Sequence, residues 1–119
     1  MIQLWIEEGT KLLRSKVEGF LSLADVRQYE TQLEHVSREV RKKAGRVRFL
    51  IDSTDASVQS PDVAAALRQV PSVLLSPGDR LAVVVGGSAL KKLQTERMMR
   101  DDRERMFISE QEARGWLQE

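Results

Sequence analysis

The sequence predicts an α/β fold: a mixed, mostly parallel sheet of about five strands, opened by an antiparallel hairpin and covered by about four helices. Three observations lead there. Ile2, Leu4 and Ile6 alternate with Gln3, Trp5 and Glu7, the period-two pattern of a half-buried strand, and Glu8, Gly9 and Thr10 supply a turn before the apolar-rich stretch 12–20. Phe49-Leu50-Ile51 and residues 81–85 are continuous apolar runs, as expected of strands covered on both faces. After the hairpin, strand and helix patterns alternate three times, and right-handed crossovers assemble such a series into a layered sheet.

Each element has its own signal. From Ser22 the period changes, and Leu23, Val26, Glu30, Leu33, Ser37 and Val40 fall on one helical face with Tyr29 and Val36 beside it. Ser22 and Asp25 are spaced as a capping box, while Arg41, Lys42 and Lys43 suit the negative end of the helix dipole before a stop near Gly45. Residues 46–52 read as a central strand with Asp52 at its C-terminal end. The polar segment 53–60 then leads to Ser60 as N-cap, Pro61 as first helical residue and Asp62 in the first turn. Pro71 is expected to interrupt this Ala-rich helix and leave a separate apolar turn, 73–75, before Ser76-Pro77-Gly78. The strand 81–85 passes through Gly86, Gly87 and Ser88 into a charged helix, 89–101. A short strand, 105–108, and a final helix opened by Ser109 and Glu112 complete the order.

At 119 residues, 41% apolar and 31% charged, the chain reads as one domain, residues 1–119, with a single core. Nineteen basic against eighteen acidic residues leave a formal charge of +1, so no global field draws the molecule to nucleic acid. There is no cysteine, which excludes disulfides and thiolate chemistry and points to the cytoplasm as the compartment. No apolar run approaches the roughly 20 residues of a bilayer span. His35 is the only histidine and lies almost opposite Leu33 on its helix, which places it in solvent, and no metal or other cofactor is expected.

The strand RVRFLID, the strand RLAVVVGG followed by KKLQTERMMR, and the ending MFISEQEARGWL together resemble the SpoIIAA-like proteins of the STAS superfamily, often described jointly with CRAL-TRIO lipid-binding domains. The resemblance extends over the whole chain. It implies a non-enzymatic binding or regulatory module. In STAS proteins that antagonise anti-sigma factors, a serine opening the helix after the central strand accepts phosphate, usually within Asp-Ser-Ser-Gly. The equivalent stretch here, DASVQSPDVAAAL, lacks that motif and offers Ser57 and Ser60 by position. The resemblance therefore leaves a protein–protein switch, with a regulatory protein as partner, as the alternative.

The residues suggest a ligand more directly in one place. Small side chains at 64–66 followed by Pro71 and an apolar turn leave room beside the sheet for a small apolar or lipid ligand, with Ala65, Ala66, Val70, Val73 and Leu74 as its wall, the turn as a lid, and Asp52 at the mouth. The resemblance to CRAL-TRIO domains favours that reading. A weak peripheral contact with anionic lipid would use the basic cluster 91–105 with Met98, Met99 or the turn, and the same methionines would otherwise form a homodimer surface. Gly86 and Gly87 with Lys91 and Lys92 form a weak anion-site pattern. The last reading is a small enzyme using Asp52 and Asp55, which stand three residues apart; no serine, histidine and acid occur in a nucleophilic arrangement.

Overall fold

The computed structural model describes residues 1–99 and 102–119, except the side chains of Ser72 and Val73. The chain runs β1 (Ile2–Glu7), β2 (Leu12–Gly19), α1 (Leu23–Ala44), β3 (Arg48–Ala56), α2 (Pro61–Leu74), β4 (Arg80–Val84), α3 (Ala89–Met98), β5 (Glu104–Phe107) and α4 (Glu110–Gln118). The five strands lie side by side in the order in which they occur in the chain. β1 and β2 are antiparallel, and every later pairing is parallel. The element order and sheet type are those the sequence predicts.

Sequential strand order decides where the helices go. Right-handed crossovers taken repeatedly in one direction place every connecting helix on the same face of the sheet. α1, α2 and α3 pack there, against Leu13, Val17, Phe49, Leu81 and Val83. The opposite face is left to α4 alone, whose Ala113, Trp116 and Leu117 cover Leu12, Leu50, Ala82 and Val84. The alternation of the pleat therefore divides each central strand between two cores.

Local signals account for most element ends. Ser22 Oγ accepts from the Asp25 N–H while Asp25 accepts from the Ser22 N–H, and Gly45 closes α1 at φ 82°, a backbone geometry that a side chain would strain. Ser109 Oγ accepts from Glu112 N–H to open α4.

Several boundaries differ from the sequence expectation. β3 does not end at Asp52 but continues to Ala56, because a register shift between Lys16 and Glu18 lets β2 pair with Asp55 and Ala56 as well. Pro71 does not break α2. Val63 and Val70 are buried, Leu67 and Leu74 pack on the same core, and this continuous apolar face outweighs the roughly 3 kcal/mol that a proline costs a helix interior. The separate 73–75 turn, and with it the lid, is thus part of a helix whose last turn is closed by Leu75 N–H donating to Pro71 O. α3 stops at Met98, where Met99 N–H turns back to Glu96 O; residues 100 and 101 of the longer helix expected lie outside the described residues. β5 begins one residue earlier than expected, and Ile108 is exposed.

One buried carboxylate holds the end of the molecule away from the strand C-termini. Asp79, fully buried, takes a bidentate pair from Arg41 (2.9 and 2.8 Å) and accepts the main-chain N–H groups of Val47 and Ser76. These four donors outweigh burial and hold its carboxyl below the usual carboxylate range. The end of α1, the start of β3 and the α2–β4 turn are fastened at this one side chain.

Candidate functional site

The face under α1, α2 and α3 is incompletely filled. A cavity of about 120 Å³ lies between the sheet and these helices, walled mainly by Leu33, Phe49, Ile51, Leu67, Val70, Leu74, Val83, Met98 and Met99. Its size approaches that of an apolar cavity of about 150 Å³, which stays dry and takes a benzene. Tyr29 contributes its ring and points its hydroxyl away, to Ser15 Oγ at 3.0 Å; burial pushes the phenol well above its ordinary pKa, so it stays neutral.

Apart from Glu104, which opens β5 at the other end of the cavity, the polar groups of the wall gather toward the C-terminal ends of the strands, where open α/β sheets form their ligand crevices. Gln59 is buried and fully used: its Oε1 accepts from Leu21 N–H, and its Nε2 donates to Gly19 O and Ser57 O. Gln59 and Gln94 also exchange two hydrogen bonds of 3.0 Å, Gln59 N–H to Gln94 Oε1 and Gln94 Nε2 to Gln59 O. The β3–α2 loop is thereby tied to both α3 and the β2–α1 loop. Lys91, 8% exposed, lines the same cavity and donates its Nζ to Thr54 O at 2.7 Å. Burial lowers its pKa, while Asp55 and Asp52 oppose that shift through space.

The sequence-predicted residues are only partly brought together. Val70, Leu74 and Ser57 line the cavity. Ala66 packs on the neighbouring core, whereas Ala65 faces outward into a shallow groove between α2 and α3. The side chain of Val73 lies outside the described residues. Asp52 belongs to the α4 side of the sheet, where its Oδ1 accepts from the Thr54 N–H and hydroxyl, and Asp55 pairs with Lys16 at 3.6 Å; neither lines the cavity. Ser60 occupies the N-cap position of α2, but its hydroxyl donates to Asp62 Oδ1 at 2.7 Å instead of accepting from the helix. Met98 and Met99 turn into the cavity wall; the exposed apolar residues of α3 are Leu90 and Leu93, at 61% and 43%. Among the described residues no cluster of metal-ligating side chains occurs, and none of the helices is long and apolar enough to cross a membrane.

Gln59 and Gln94 were not legible as site residues, and Lys91 was singled out only with Lys92 in the weak anion-site pattern after Gly86 and Gly87. Lys91 carries a faint signal: positions 91, 95 and 98 share a helical face that begins after the Ser88 cap. Nothing in their spacing shows which side of α3 meets the sheet.

No protein-family model and no curated protein matches the chain. A solved structure does: a protein of the DUF3478 family with a SpoIIAA-like fold from Shewanella loihica PV-4 is 22% identical, aligns over 98% of this chain and 93% of that one, and superposes with a TM-score of 0.69. With its hairpin, parallel strands and four helices in the same arrangement, this chain has a SpoIIAA-like α/β fold.

Proposed function

We propose that the protein is a non-enzymatic, STAS-type binding module that takes a small apolar ligand, or the end of an acyl chain, between its sheet and α1–α3. The apolar cavity carries this reading. Its capacity of about 120 Å³ is well below the roughly 300–1,000 Å³ of pockets that enclose drug-sized ligands, so a whole lipid does not fit. The test is native mass spectrometry of gently purified protein, followed by addition of benzene and ligand-observed NMR. A stoichiometric apolar guest, or uptake of benzene lost on filling the cavity with Val83→Phe, is the expected result. Protein that is empty and takes up no benzene overturns the reading.

The serine switch rests on the position of Ser57 and Ser60 alone. Asp62 already accepts the Ser60 hydroxyl, so a phosphate there meets a carboxylate at close range, which opposes the charge the switch would add.

A further inference from the structure

α3 is turned inside out. Leu90 and Leu93 face solvent, while Lys91 and Thr95 on the same helix are buried. A helix packed for stability alone would bury its leucines and leave Lys91 in water, because a charge drawn partly out of water without an ion-pair partner costs stability. Among the described residues Lys91 has no ion-pair partner, and its Nζ is bonded only to the Thr54 carbonyl, which leaves two of its three protons without an acceptor there. The nearby carboxylates are engaged elsewhere, Asp55 with Lys16 and Asp52 with Thr54. The acidic residue of the cavity wall, Glu104, pairs in register with Leu81, which is itself opposite Phe49. Thr54 lies five positions further along β3, about 16 Å at the rise of a strand, so the acidic and cationic ends of the cavity are well separated.

We infer that Lys91 is a recognition residue for an acid head group, and that the ligand class is a small monoanionic amphiphile, a carboxylate on a short apolar tail, with the head at the strand C-termini and the tail between α2 and the sheet. This assignment rests on the apolar-ligand reading and names its chemistry. A carboxylate would supply the direct ion pair that Lys91 lacks, and the tail would fill the unoccupied volume beyond it. Lys91 is a binding residue in this scheme and takes part in no covalent step. Local sequence rules broken without a packing gain are the expected mark of such a position.

Matched six-carbon probes test it. Hexanoate and 1-hexanol are titrated into the whole chain by NMR, with wild type and Lys91→Met compared. Wild type is expected to bind hexanoate at least tenfold more tightly than hexanol, and Lys91→Met to bind both alike while hexanol affinity is retained. Equal affinities in wild type, or a preference that survives Lys91→Met, overturn the head-group assignment and leave the apolar pocket standing. Failure of both probes to bind wild type overturns the pocket reading together with this one. The wild-type comparison decides the matter by itself if Lys91→Met does not fold, and a Lys91→Met protein that melts higher than wild type would show the charge to be kept at a cost to stability.

Discussion

The two faces of the sheet solve the same packing problem differently. On the α4 side one nine-residue helix covers four strand side chains, and Trp116 fills what remains: Phe107 lies 5.7 Å from it, and the guanidinium groups of Arg80 and Arg105 stand 4.8 and 5.0 Å from its ring. On the opposite side three longer helices leave a cavity and bury most of a lysine. More covering structure gives the poorer packing. Unfilled space on this sheet is therefore a property of one face, and it coincides with the face whose helix buries the wrong residues for stability.

The comparison can be broken most severely at Trp116. Trp116→Ala should cost about 3–5 kcal/mol, read by urea denaturation, because no neighbouring side chain can collapse into the space. A loss under about 1 kcal/mol would mean that the α4 face is not tightly packed after all. The sharpest test pairs two adjacent residues of β4 that point to opposite faces. Ala82→Leu should overpack the filled core at a cost of about 2 kcal/mol, whereas Val83→Leu, which points into the cavity, should change stability by less than about 1 kcal/mol. Equal costs would erase the distinction between the faces.

The rim of the α4 face carries a smaller, pH-dependent term. Glu7 accepts a bidentate pair from Arg114, both bonds 2.8 Å, and a further bond from Arg14, which fasten the hairpin to α4. The Arg114 pair is the main cause that lowers its pKa from 4.5 to about 2, with burial working against it. A depressed folded pKa means that this stabilisation is present above about pH 4.5 and is lost as the pH falls through about 2. Glu7→Gln should therefore lower stability by about 1 kcal/mol at pH 7, and thermal melts of variant and wild type should converge toward pH 2. A constant gap would assign the effect to packing. The smallest effect is expected at Ser60. Its hydroxyl caps no N–H, so Ser60→Ala should cost less than about 0.5 kcal/mol, against about 1 kcal/mol for Ser109→Ala, whose hydroxyl does accept one.

What was legible in the sequence follows from the range of the forces involved. The capping box at Ser22, the stop at Gly45 and the period of α1 are interactions within a few residues, and they appear where the sequence places them. Pro71 misled because its local cost is smaller than the burial of a face that continues past it. The extension of β3 depends on its pairing with Glu18 and Gly19 of β2, more than thirty residues earlier. Asp79 looks like a turn residue, and its role needs Arg41 and Val47 to arrive from 38 and 32 positions away. Of the candidate site, the contribution of α2 was visible through Val70 and Leu74. Of the polar end only Lys91 was visible, as part of a weak anion-site pattern, and its place beside the cavity was not, since Lys91 and Gln59 take their partners 37 and 38 residues away.

The sequential strand order also has a consequence for biogenesis. The three crossover helices arrive interleaved with the strands, so each parallel pair can be covered on that side as soon as it forms. The other side has no such provision. Leu12, Leu50, Ala82 and Val84 form one apolar stripe across three strands, and α4 follows all five strands in the chain. During synthesis the stripe faces water, or whatever holds the nascent chain, until that last helix docks, and this interval is when the molecule is most exposed to aggregation.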